Sequence, residues 1–181
     1  MTFESFLQAV EEGRTEKVKA YLELHPDAID SLNFFGKTPL HVAAEWGHKS
    51  IVEQLLQAGS QALDFRIESN GQTALHCAAM GGHESIVELL LQTGSQSLNV
   101  PDKCGRTPLY WALKCEQKSE TVQILKAIGA SMELNLDKIK FKLNLRQLEV
   151  LREPISKEEV VAIRFRINPN HSFLSALLLF L

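Results

Sequence analysis

The sequence predicts an all-α solenoid built from stacked helix-turn-helix units. Three observations carry that prediction. The stretch Gly71–Gly94, GQTALHCAAMGGHESIVELLLQTG, occurs nearly intact as Gly36–Gly59, GKTPLHVAAEWGHKSIVEQLLQAG, and returns in altered form as Gly105–Gly129, GRTPLYWALKCEQKSETVQILKAIG. Thr38, Thr73 and Thr107 mark the period, and a repeat of this length signals one supersecondary unit stacked on copies of itself. Within each copy, apolar residues recur at helical spacing between proline and glycine punctuation.

The unit can be derived residue by residue. Thr38 precedes a helix that begins at Pro39, where the missing N–H costs nothing. Leu40, Ala43 and Ala44 form its apolar face, and the alanines admit a close neighbour. Gly47, tolerant of positive φ, ends it. Ile51, Val52, Leu55 and Leu56 define a second helix that packs back on the first and stops at Gly59. One such pair cannot bury its apolar faces alone, whereas stacked pairs share a continuous core.

These residues, Thr-Pro-Leu-His-x-Ala-Ala, then Gly-His, then Ile-Val-x-x-Leu-Leu, resemble the ankyrin repeat. The resemblance covers about residues 1–130. It implies about four repeats joined by hairpin-like fingers, with 1–33 as an N-terminal capping repeat, 34–68 and 69–101 as full repeats and 102–130 as a degenerate last one. Residues 131–181 form a C-terminal extension outside it.

In residues 2–24, Phe3, Phe6, Leu7, Ala9 and Val10 suggest a first helix, and Val18, Tyr21 and Leu22 a second. Gly13 lies 34 residues before Gly47, and the surrounding Glu and Lys residues suit the wet outer face of a terminal repeat. His25-Pro26-Asp27 ends the second helix. The connectors Ser60–Asn70 and Ser95–Cys104 allow an extended excursion and return. Asp102-Lys103-Cys104-Gly105 matches the family's Asp-x-x-Gly tip; Asn33-Phe34-Phe35-Gly36 and Glu68-Ser69-Asn70-Gly71 lack the Asp, so less regular tips are expected there. The longer Gln61–Asp64 and Gln96–Asn99 segments predict altered finger geometry. In the fourth repeat Tyr110 replaces His, Leu113 replaces Ala, Glu116-Gln117 stands in place of Gly-His, and one residue is inserted before Val122.

The extension reads less clearly. Alternation through Met132–Leu136 and Ile139–Leu145 fits a hairpin around Asp137-Lys138, yet Phe141, Leu145, Leu148 and Leu151 also fit a helical face ended by Pro154. Ser156–Glu159 has the capping-box pattern for a helix over Val160–Ile163, while Val160–Ile167 is β-branched enough for a strand. Ser172–Leu181 is apolar and, at ten residues, too short to span a bilayer. Packing on the last repeat or on a neighbouring chain, an interfacial membrane anchor, and the stump of a longer protein all fit it.

Composition narrows the function classes. The 181 residues are 45% hydrophobic, with net charge −3, giving no general case for nucleic-acid binding. Residues 1–130 hold 11 basic and 16 acidic side chains, against 8 and 6 in 131–181. Three widely spaced cysteines do not form a disulfide framework. With no signal-peptide pattern and no spanning segment, a cytoplasmic protein is expected, signal-less export being the alternative.

No catalytic constellation, cofactor loop or metal spacing stands out. His41 and His76 follow Thr38 and Thr73 by three residues, within hydroxyl reach on one turn, and the resemblance gives them structural hydrogen bonds between repeats; His48 and His83 fit its Gly-His. Thr107 keeps the threonine. Cys77 reads as a core residue, and Cys104 and Cys115 as exposed thiols. No carboxylate pair is nominated for acid–base work, so a non-enzymatic protein is expected. The resemblance implies protein binding through finger tips and the exposed side of the first helices. Here that face is Phe34, Phe35, Lys37, Glu45 and Trp46, then Ser69, Asn70, Gln72 and Met80, then Lys103, Cys104, Arg106 and Lys114. The aromatics would anchor a protein partner, with Lys37, Arg106 and Lys114 orienting it; the bland alternative is that Phe34 and Phe35 cover the first repeat. The second expectation is the targeting arm of an adaptor or of a host-directed bacterial effector whose activity or recruitment function lies in 131–181.

Overall fold

The computed structural model describes residues 2–114, 119–129, 155–156, 159–160 and 162–163. The described residues form eight α-helices and no strand: α1 (Phe3–Glu11), α2 (Thr15–Leu24), α3 (Pro39–Trp46), α4 (Lys49–Gln57), α5 (Ala74–Gly81), α6 (Glu84–Gln92), α7 (Pro108–Lys114) and α8 (Ser119–Ile128). They pair in sequence, and the pairs stack: α1, α3, α5 and α7 lie side by side in one layer, α2, α4, α6 and α8 in the other.

The two layers differ in sequence because they differ in burial. In α3 every residue from Pro39 to Ala44 is buried, as is Ala74–Ala79 in α5. A helix enclosed on all sides is apolar or small all round. The outer helices bury one stripe only, Ile51, Val52 and Leu55 in α4, and Ile86, Val87 and Leu90 in α6. Thr38 caps α3, accepting the His41 backbone N–H at 3.4 Å, with Pro39 as first helical residue.

Gly47 closes α3 at φ +81°, and a Cβ there would lie 2.5 Å from His83 Cε1. That imidazole belongs to the next repeat, and its Nε2 donates to the Glu45 carbonyl at 3.0 Å. His48 makes the same bond one repeat earlier, 2.8 Å from the Glu11 carbonyl and packed on Gly13. Gly59 has φ +92°, and a Cβ there would meet nothing within 4 Å. We expect Gly59→Ala to cost about 1–2 kcal/mol from the left-handed backbone alone, and Gly47→Ala about 2 kcal/mol more as the His83 ring is displaced and its hydrogen bond lost. Equal losses in urea unfolding would contradict this.

The long connectors begin with single 3-10 turns, Ala62–Asp64 and Ser97–Asn99, which replace an extended start and account for their extra length. The finger tips depart from one expectation. Asn33 Oδ1 accepts the N–H groups of Phe35 and Lys37, both at 2.9 Å, as Asp102 Oδ1 does for Cys104 (2.8 Å) and Arg106 (2.9 Å). An amide oxygen serves this turn as well as a carboxylate, so the Asn33 tip is regular. The middle finger is different. Its ladder bond runs from Ile67 N–H to the Gln72 carbonyl, one residue longer than Asn33 to Lys37 or Asp102 to Arg106, and Ile67 is buried. This accommodates the 35-residue spacing from Gly36 to Gly71 against 34 from Gly71 to Gly105.

In the extension, Ser156 and Glu159 form the reciprocal capping box: Glu159 N–H reaches Ser156 Oγ at 3.2 Å and Ser156 N–H reaches Glu159 Oε2 at 3.1 Å. Residues 159–160 and 162–163 are helical, not extended, and Ile163 packs against the core of the stack. The alternatives for 132–151, the terminal Ser172–Leu181, the Glu116-Gln117 change and Cys115 lie outside the described residues. No described helix is long and apolar enough to cross a membrane.

Candidate protein-binding face

The fingers, Asn33–Lys37, Ile67–Gln72 and Asp102–Arg106, stand beside the ends of α3, α5 and α7. On the first finger Phe34 is 98% exposed and Phe35 68%, their rings in edge contact at 5.7 Å between centroids. Among the described residues Phe34 therefore covers no part of the core. Trp46, at the end of α3, is 56% exposed. Phe65, absent from the face that the sequence suggests, is partly exposed beside His41, its ring edge-on at 6.0 Å. A large aromatic directly after a 3-10 turn was the signal for it.

The polar positions sort differently from expectation. Gln72 is buried, its N–H bonded to Asn70 Oδ1 at 2.9 Å and its Oε1 accepting from Asn70 Nδ2 at 2.8 Å, so its side chain holds the finger. Lys37 pairs with Glu45 at 2.5 Å. Arg106 Nε bonds Asp102 Oδ2 at 2.8 Å, and its guanidinium lies 4.3 Å from the centre of the Trp111 ring. Lys37 and Arg106 are thus engaged within the chain. Ser69, Lys103, Cys104 and Lys114 are exposed; Asn70 and Met80 are half-buried. Lys103 N–H bonds the Asn70 carbonyl at 2.8 Å and Arg66 Nη2 the Pro101 carbonyl at 2.7 Å, tying the second and third fingers together.

Beneath the face lie the two histidines. His41 and His76 are fully buried. Their Nε2 atoms lie 3.1 Å from the Phe65 and Arg106 carbonyls respectively, so Nε2 carries the proton and donates to the backbone further along the chain, for His76 in the next repeat. Nδ1 then accepts, from the Thr38 hydroxyl at 2.8 Å and the Thr73 hydroxyl at 2.9 Å. Burial holds both imidazoles down at a pKa of about 4. In repeat four Tyr110 occupies this place, buried, with its N–H 3.4 Å from Thr107 Oγ1.

A second set of ties escapes a reading of the sequence. Asp30 accepts Ser60 Oγ at 2.5 Å and Gln61 N–H at 2.8 Å. Asp64 accepts Ser95 Oγ at 2.7 Å, Gln96 N–H at 3.0 Å, and Ser97 Oγ. Burial pushes the Asp64 carboxyl up, but the hydrogen bonds from Ser97, Gln96 and Ser95 outweigh it and leave its pKa lowered. The recurrence of Ala28-Ile29-Asp30 as Ala62-Leu63-Asp64 was the available signal.

Burial pushes the Cys77 thiol up to about 12, which leaves it a core residue. Cys104 is a free, exposed thiol. Among the described residues no three His, Cys, Asp or Glu side chains converge as a metal site requires.

Comparison with known proteins agrees with this architecture. The family described as "Ankyrin repeats (3 copies)" matches residues 6–102 and 64–136. The chain is also 42% identical over 53 residues to the 60 kDa lysophospholipase of Mus musculus; the shared stretch is 29% of this chain and 9% of that protein. Stacked helix pairs, a threonine–histidine bond on the first turn of α3 and of α5, and a family match across most of the chain lead to one conclusion: this protein belongs to the ankyrin-repeat family.

Proposed function

We propose that this chain is a protein-recognition module without catalytic activity of its own, and that its partner docks on the fingers and the adjoining ends of α3, α5 and α7. The observation that supports it is the exposure of Phe34, Phe35 and Trp46 within one repeat. Large aromatics in water contribute nothing to this fold's core, and buried aromatics dominate the energetics of interfaces. Ankyrin repeats generally serve protein–protein interaction, which is the coarser statement behind this reading. With 9% of its length shared, the mouse lysophospholipase lends no enzymatic activity to this chain. Packing of Ile163 on the core favours a stack-capping role for that part of the extension over a free recruiting arm.

The experiment compares proteins recovered by pull-down with the wild-type chain and with Phe34→Ala/Phe35→Ala/Trp46→Ala. Each hot-spot aromatic contributes about 2 kcal/mol, a loss of roughly 30-fold per residue. A protein retained by the wild type and lost from the variant, with unchanged circular dichroism, is the expected result. Recovery of the same proteins by both would place the binding surface elsewhere.

A further inference from the structure

Among the described residues, every large apolar side chain that stands exposed falls between Leu24 and Phe65: Leu24, Leu32, Phe34, Phe35, Trp46 and Phe65. Further along the stack the same positions change character. Phe34 and Phe35 of the first finger correspond to Lys103 and Cys104 of the third, and Glu45 corresponds to Met80 and then Lys114. Lys103 and Lys114 are exposed, and neither is in an ion pair among the described residues. Asp102, its side chain fully buried, is held by Arg106, and at the other end Lys37 is held by Glu45. Glu68, exposed on the middle finger, lies between the two ends. Among the described residues the face is therefore aromatic, with its one ion pair closed, at the α3 end and cationic at the α7 end.

We propose that this face takes a linear segment of another protein that is apolar at one end and acidic at the other. Its apolar end would lie over the first finger and α3, its acidic end over the third finger and α7. This rests on the reading above that the face binds protein, and it adds the partner's chemistry and orientation. Two helix-to-helix steps of 8–10 Å separate α3 from α7, about 20 Å in all. An extended segment spans that with about six residues at roughly 3.3 Å each. The aromatics supply most of the affinity, and the lysines set polarity and association rate through complementary charge.

The test is selection of displayed random peptides, about 12 residues long so that extended or helical forms both reach across, on three proteins. These are the wild-type chain, Lys103→Glu/Lys114→Glu and Phe34→Ala/Phe35→Ala/Trp46→Ala. The substituted side chains are all exposed, and circular dichroism checks the fold of each variant. The wild type should enrich peptides that join large apolar residues to Asp or Glu. A synthetic peptide of that selection should bind the lysine variant about tenfold more weakly, and selection on that variant should keep the apolar residues while losing the acidic bias. No acidic bias, a bias unchanged by charge reversal, or no enrichment at all would overturn the proposal. The same peptides selected on the aromatic variant would instead overturn the choice of face. A fluorescein-labelled oligothymidylate is the second probe, since stacking aromatics with lysines also suit single strands. Its binding in place of acidic peptides would likewise overturn the proposal.

Discussion

Between pH 6.5 and 4 the protein should lose on the order of 6 kcal/mol of stability, enough to unfold a domain of ordinary stability. The cause is the pair His41 and His76. Each has an ordinary pKa of 6.5, lowered by burial to about 4 in the folded state. Below pH 6.5 the unfolded chain takes up a proton at each histidine and the folded chain does not, so stability falls with falling pH. The loss continues to about pH 4, where the folded histidines titrate too. At 1.36 kcal/mol per unit, each contributes on the order of 3 kcal/mol. Geometry gives the same sign. His76 Nδ1 accepts from the Thr73 backbone N–H at 3.2 Å, a donor that cannot reverse, so a proton on Nδ1 would face another proton. Asp64, with its lowered pKa, adds a loss of the same direction at more acidic pH, below 3.8.

Urea unfolding at pH 7.5, 6, 5 and 4.5 measures this. A His41→Gln/His76→Gln variant is the control: glutamine can donate and accept but does not titrate. It should be less stable at neutral pH and show a much flatter slope between pH 6.5 and 4. A wild-type stability that held constant through that window, or a variant with the same slope, would show that the two imidazoles are not the acid-sensitive groups. Repeat four carries Tyr110 at this position, which is why two histidines and not three set the size of the effect.

Asp102→Ala should cost about 3 kcal/mol or more, and Asp102→Asn about half as much. The Asp102 side chain is fully buried. One oxygen accepts the N–H groups of Cys104 and Arg106; the other accepts Arg106 Nε at 2.8 Å and Trp111 Nε1 at 3.1 Å. Alanine strands all four donors and leaves the guanidinium, only 15% exposed, without its counter-charge. Asparagine keeps the oxygen that organises the turn. Asn33 shows the arrangement working: it makes both backbone bonds, and the cation beside it, Lys37, is neutralised by Glu45 instead. Denaturant unfolding of the two variants beside the wild type gives the order. Equal losses would mean that the Arg106–Trp111 side of the carboxylate contributes nothing.

Much of this architecture is legible without coordinates. Helices α1 to α8 sit where apolar spacing, Thr-Pro starts and Gly stops put them, because those signals act within one turn of chain. The capping box at Ser156 and Glu159 is readable for the same reason, since its two residues are three apart. The aromatic positions on the face follow from their place in the period: a residue at a finger tip or at the exposed end of an inner helix has no core to enter.

What the sequence by itself determined is thus the repeat, its helices and caps, and the registry that lines equivalent positions along one face. What only the tertiary structure decided is which polar side chains on that face are already taken. Lys37 meets Glu45 across eight residues, Trp111 meets Asp102 across nine, and Asp64 meets Ser95 and Ser97 across a repeat boundary. Gln72 turns inward because Asn70 holds it. The physical reason is common to all four. Periodicity specifies which side of a helix a residue faces, but in loops and between repeats the direction of a long polar side chain is set by whichever partner the folded chain brings within about 3 Å of it. That competition exists only once each finger is folded beside its helix and, for Asp64, once the repeats are stacked.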